Sequence, residues 1–152
     1  MVKHWIFPLE RPLSPQEIEK AKALLNQIGQ HWKAHNVPVP SEMEVRRQQF
    51  VFVKALDFPS GCSVDWLNGQ MQQLAQQFGT RLADASAVFY VDEHQSVQQL
   101  DFRAAEDAIA KGILNPETLI LDNTVVHSGD FTGWEKPLKN SWLKRYLPTA
   151  TP

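Results

Sequence analysis

His4 to Phe7 is short, aromatic and β-branched, and predicts a strand. After Ser14-Pro15-Gln16-Glu17 the apolar period changes. Ile18, Ala21, Leu24, Leu25, Ile28 and Trp32 recur every three or four residues, as one face of an α-helix requires. The start is signalled too: Ser14 can accept from a free N–H, Pro15 has none to lose, and Glu17 can reach back to the cap. That helix is expected to end before Asn36-Val37-Pro38, because a residue before proline avoids the α region. Glu42 to Arg46 then alternates, with Met43 and Val45 on one face, and Phe50-Val51-Phe52-Val53 is continuously apolar, as in a strand covered on both faces. Arg47-Gln48-Gln49 makes the pair a hairpin, and Phe58-Pro59-Ser60-Gly61 breaks the pattern. Val64, Leu67, Met71, Leu74 and Phe78 predict a second helix, beginning near Cys62 or Ser63 and closed by Gly79. Ala87 to Val91 predicts another buried strand.

Strand, helix, strand, strand, helix, strand is the order of a ferredoxin-like βαββαβ core, an antiparallel sheet with two helices on one face. The expected fold class is therefore α+β, in a single domain over 1–152: a ferredoxin-like core over 1–92 and a packed C-terminal α/β extension over 93–152. In the extension, Asp92 to Gln95 reads as a turn and Val97 to Leu100 as a strand pairing back. Phe102, Ala105 and Ile109 predict a short helix closed by Lys111-Gly112. Asn115-Pro116 is a turn, Thr118 to Leu121 a strand, Gly129 to Pro137 irregular, and Ser141 to Leu147 a last helical turn before a proline-ended tail.

Composition changes this picture in two places. The 152 residues carry a net charge of −2, which argues against a domain-wide basic surface and so against nucleic acid as partner. Cys62 is the one cysteine, so there is no internal disulfide and no thiolate set for an iron–sulfur cluster. The opening Met1 to Pro8 is too short for a signal-peptide core, and no run approaches the roughly 20 apolar residues of a membrane span. A cytoplasmic protein without a membrane partner is expected.

Ser60-Gly61-Cys62-Ser63-Val64-Asp65 before a helix, and Trp134-Glu135-Lys136-Pro137 followed by Ser141-Trp142 and Arg145-Tyr146-Leu147, carry a resemblance. Over most of its length, including Trp5-Ile6-Phe7 and the Gly112 to Asn123 stretch, the chain resembles a small bacterial family without an established activity, whose members are often labelled "ABC transporter ATPase". The resemblance implies a shared fold and transfers no catalytic role. The label's own chemistry needs a glycine-rich loop ending in Gly-Lys-Ser/Thr to cradle phosphate. None of the seven glycines precedes a lysine.

Ser60-Gly61-Cys62-Ser63 lies where a strand hands over to a helix. Free N–H groups at a helix start attract anions and favour a thiolate. Cys62 as nucleophile, with Asp65 nearby and a base such as His127 or His4 brought in by folding, is one reading; an anion pocket of Ser60, Gly61 and Ser63 is another. Plain capping by the serines around a buried cysteine competes with both. His31 and His35, spaced i, i+4, could share a helix face, but lack the further ligands a zinc site needs, so no metal and no cofactor are expected. Asp122, Asn123 and His127 follow a strand and suit substrate contact or simple turn chemistry.

Of the five tryptophans, Trp5, Trp32, Trp66, Trp134 and Trp142, Trp66 lies off its helix's apolar stripe. Trp134 and Trp142 fall among Lys136, Lys139, Lys144 and Arg145. Aromatics among cations stack on a ligand or anchor a partner; they also strap an irregular segment down. The leading expectation is a non-enzymatic cytosolic protein for ligand binding or assembly, taking a small anionic ligand or a protein partner, with a homo-oligomer as one option. The alternative is an enzyme using Cys62 at a helix N-terminus.

Overall fold

Three strands, β1 (Lys3–Pro8), β4 (Ser41–Arg46) and β5 (Phe50–Ala55), form an antiparallel sheet in the order β1-β5-β4 in the computed structural model, which describes residues 2–149. Helices α1 (Pro15–His31) and α2 (Gly61–Gln77) lie on one face of it. Their apolar stripes, Ala21, Leu25 and Ile28 from α1 and Leu67, Met71 and Leu74 from α2, meet Phe7, Val51 and Val53 in one core. Phe50, Val51, Phe52 and Val53 are all buried, as a continuously apolar strand implies.

These elements belong to the first of two compact units, Met1–Ala83 and Asp84–Pro152. The fourth strand of the expected sheet is absent from it. Val88–Val91, here β6, is a strand but pairs in the second unit, so the core boundary expected at 92 falls at Ala83 instead. Its continuously apolar run fixes the conformation and leaves the partner open. A local hairpin decides: β6 pairs with β7 (Val97–Leu100) through a tight turn. Asp92 holds that turn by accepting from the N–H groups of His94 (2.8 Å) and Ser96 (2.9 Å) and from Gln98 Nε2 (2.8 Å), which keeps its carboxyl below the usual carboxylate range, Gln98 being the largest cause. Just past the end of β1 the described residues form a single bridge, Leu9 with Leu82, flanked by Glu10 N–H to Arg81 O (3.1 Å) and Ala83 N–H to Pro8 O (2.8 Å).

The second unit is an antiparallel sheet in the order β7-β6-β8-β9, with β8 at Leu119–Leu121 and β9 at Glu135–Pro137. The short β9 lies inside the stretch expected to be irregular. Helix α3 (Phe102–Ala110) starts on an Asp101 cap and ends at Gly112 with φ +77, a conformation that glycine adopts without strain. Val88, Ile120, Ala105, Ile109, Leu138 and Leu143 build its core. The molecule is thus α+β with antiparallel sheets. The proline-ended tail, 150–152, lies outside the described residues.

At the start of α1 the expected capping box forms, with Glu17 N–H to Ser14 Oγ (3.2 Å) and Ser14 N–H to Glu17 Oε1 (2.9 Å). The Arg11 guanidinium grips both Glu17 oxygens at 2.9 and 2.8 Å and also donates to the Phe78 carbonyl at the end of α2. Arg11 first, and the cap second, hold the Glu17 carboxyl down to about 2, from 4.5. A depressed carboxyl stabilises fully above its unfolded value and loses that contribution as pH falls through the folded one. Carbon-13 titration should find Glu17 ionised well below pH 4, and Arg11→Ala should return it toward the ordinary range. An unchanged midpoint in that variant would contradict the assignment.

Candidate functional site

Strand β8 delivers Asp122 and Asn123 to the edge of the second unit's core. Asp122 is buried, and its carboxylate is fully engaged. Oδ1 accepts from the Thr124 N–H (3.0 Å) and the Thr124 hydroxyl; Oδ2 accepts from Lys136 Nζ (2.9 Å). The Asp122 N–H donates to Trp134 O (2.6 Å), and Trp134 Nε1–H donates to Asn123 Oδ1 (2.8 Å). Three polar contacts therefore tie the 122–124 turn to Trp134 and Lys136 at the start of β9. The ion pair neutralises itself, so the site presents a polar wall without a free charge.

Against that wall lies a cleft of about 300 Å³. Phe89, Ile120 and Leu143 supply apolar lining; Asp122, Asn123 and Thr124 form its polar end. Phe102 and Trp142 stack beside it, with centroids 5.9 Å apart and planes 10° from parallel, and Tyr146 meets Phe102 edge-on at 5.5 Å. Trp142 is 41% exposed, far more than a tryptophan serving only as a core anchor. An apolar cavity of this size with a few convergent polar groups and an aromatic wall is the usual form of a small-molecule site.

The structure thus brings Asp122, Asn123 and Trp142 together. His127 does not join them: it is exposed on the 3₁₀-helix Asn123–Ser128 and does not line the cleft. Trp134 is buried and holds the turn, the strapping role that competed with ligand stacking. Phe102 was not legible as a site residue. It opens a nine-residue helix, and its stack with Trp142 spans forty positions that no local pattern links.

In the first unit, Ser60 caps α2 by accepting from the Ser63 N–H (3.2 Å), and the buried Ser63 hydroxyl donates to Ser60 O (2.7 Å). Both hydroxyls are thereby committed to the helix start. Cys62 is exposed on this first turn, not buried as capping alone implies, and Gly61 and Asp65 are exposed beside it. His31 and His35 share no helix face. The helix ends at His31, whose Nδ1 donates to Gln27 O (2.8 Å). His35 and Asn36, at φ 51 and 66, instead make a two-residue turn between the short strands β2 (Lys33–Ala34) and β3 (Val37–Pro38). Asn36 tolerates the left-handed region, and that was the available signal. His4 lies on β1, paired opposite Lys54.

Among the described residues no group of three His, Cys, Asp or Glu side chains is placed to hold a metal ion, and no helix is long and apolar enough to cross a membrane. Comparison with protein-family models, curated proteins and solved structures gave no match for this chain.

Proposed function

We propose that the protein is a non-enzymatic binding protein that takes a small, flat, largely apolar molecule in the cleft beside Trp142. The carrying observation is the cleft itself: an apolar cavity with an exposed aromatic stack on one side and a prearranged polar turn at its end. Asp122 and Asn123 are held by Lys136 and Trp134, so a ligand meets a wall that needs no reorganisation. Lys144 and Arg145 follow Leu143 in the chain, are exposed, and have no ion pair among the described residues; they favour an anionic group on the ligand's outer end. A naphthalene sulfonate dye has both features. It should bind with one-to-one stoichiometry and quench Trp142, and Trp142→Ala or the cleft-filling Ala87→Phe should abolish binding. Dye uptake indifferent to both variants would end this reading.

The exposure of Cys62 favours one alternative, an enzyme with that thiol as nucleophile. On the leading reading, iodoacetamide should alkylate Cys62 in the folded protein at about the rate seen in urea. Native alkylation roughly tenfold or more faster than in the unfolded chain would instead indicate an activated thiol and support the enzyme.

For the first unit we infer a ferredoxin-like sheet whose fourth strand is reduced to Arg81–Ala83. The order β1-β5-β4, both helices on one face, and the bridge at the edge where a fourth strand would pair all support this. The similarity to the bacterial family labelled "ABC transporter ATPase" bears on fold alone in this reading. We read the protein as cytoplasmic on its single cysteine.

A further inference from the structure

Helices α1 and α2 leave a groove on the first unit, about 490 Å³ in volume, that the cleft in the second unit does not involve. Leu24 and Ile28 of α1 and Leu74 of α2 make its floor, and Trp66 lies at one end. Gln27, Gln70, Gln73 and Gln77 line it, with His31. No lining residue is an acid, a lysine or an arginine. Helix α2 as a whole carries one charged residue, Asp65, in its 17 positions.

The polar groups in this groove are uncommitted. None of the four glutamine amides and not the Trp66 N–H has an internal hydrogen-bond partner among the described residues, while the Trp66 ring packs partly against the core. By contrast, Trp32 and Trp134 each donate their N–H to a protein acceptor. The His31 ring is oriented, because Gln27 O can only accept; Nδ1 is therefore the donor and Nε2 is left for another partner.

From this arrangement we infer that the groove binds a neutral saccharide. Each carboxamide offers a donor and an acceptor side by side, the pattern that matches adjacent hydroxyls. An indole gives the apolar ring face of a sugar a flat partner. The absence of any lysine or arginine selects against phosphates and nucleic acid. An amphipathic helix fits poorly. It would bury the amides and the indole N–H without partners, each weakening binding roughly ten- to hundredfold. A polyol satisfies them.

The test is a titration of the isotope-labelled full chain with uncharged disaccharides, maltose, cellobiose and lactose, alongside glucose 6-phosphate. At least one disaccharide should shift the Trp66 indole and glutamine side-chain resonances saturably, while the phosphate does not. Gln73→Ala should weaken that binding roughly tenfold. Gln70→Glu, at a half-buried position that keeps a good helix former, should weaken it further. Trp66 is partly buried, so the glutamine variants carry the test if Trp66→Ala fails to fold. Four results would overturn the inference: silence across the disaccharides, shifts mapping outside the groove, equal binding of the phosphate, or a concentration-dependent dimer that covers Trp66.

Discussion

Trp32→Ala should destabilise the first unit by about 3–5 kcal/mol, the range for removing a buried large aromatic. Trp32 is fully buried just past the end of α1. Its ring meets Trp5 of β1 edge-on at 5.7 Å, and its Nε1–H donates to Ser63 O in the first turn of α2 at 2.9 Å. One side chain thus joins the sheet and the ends of both helices. Trp32→Phe separates the contributions. It keeps most of the packing but removes the indole bond to the Ser63 carbonyl, which retains its place in the helix ladder, at a cost of about 0.5–1.5 kcal/mol. In urea unfolding the alanine variant should lower the midpoint by roughly 2 M, for a slope near 2 kcal/mol/M. A shift no larger than that of an exposed substitution would show that Trp32 does not join these elements.

Asp122→Ala should cost the second unit about 3 kcal/mol. Removing one partner of a buried ion pair strands the other, and the loss is typically 3–5 kcal/mol. Lys136 retains 22% exposure against 5% for Asp122, which places the effect at the lower end. The Thr124 N–H and hydroxyl lose their acceptor as well. Lys136→Met alone should also destabilise, because it leaves the carboxylate buried and uncompensated. The double change Asp122→Asn with Lys136→Met should cost less than the sum of its parts. Strict additivity in thermal unfolding would show that the two groups do not act as a pair. Both single variants should loosen the turn that forms the cleft's polar end, and so weaken dye binding along with stability.

Local chemistry in the sequence foretold local structure. Ser14-Pro15-Gln16-Glu17 marked the start of α1, Asp92 to Gln95 marked a turn, and Lys111-Gly112 closed α3, because each is decided by residues within one turn of one another. The apolar stripes of α1 and α2 were equally readable, since burial on one face imposes the period. Partner choice was not. Val88 to Val91 has the same apolar run whichever sheet receives it, and the short hairpin to Val97–Leu100 outcompetes the edge of β1, far off in sequence. The cleft was half legible. Asp122, Asn123 and Trp142 were candidates on residue type, but Phe102 acquires its role only from a contact forty residues away. At Ser60 to Ser63 the serines behave as caps and the thiol is exposed, two outcomes that depend on the packing of α2.

The most direct test of the binding reading is fragment mapping by NMR on the methyl-labelled chain, using small aromatic carboxylates. Saturable shifts should concentrate on Ile120 and Leu143 and on the Trp142 indole, and disappear in Ala87→Phe. Shifts spread evenly over the surface, or a cleft that stays silent while fragments settle elsewhere, would contradict it.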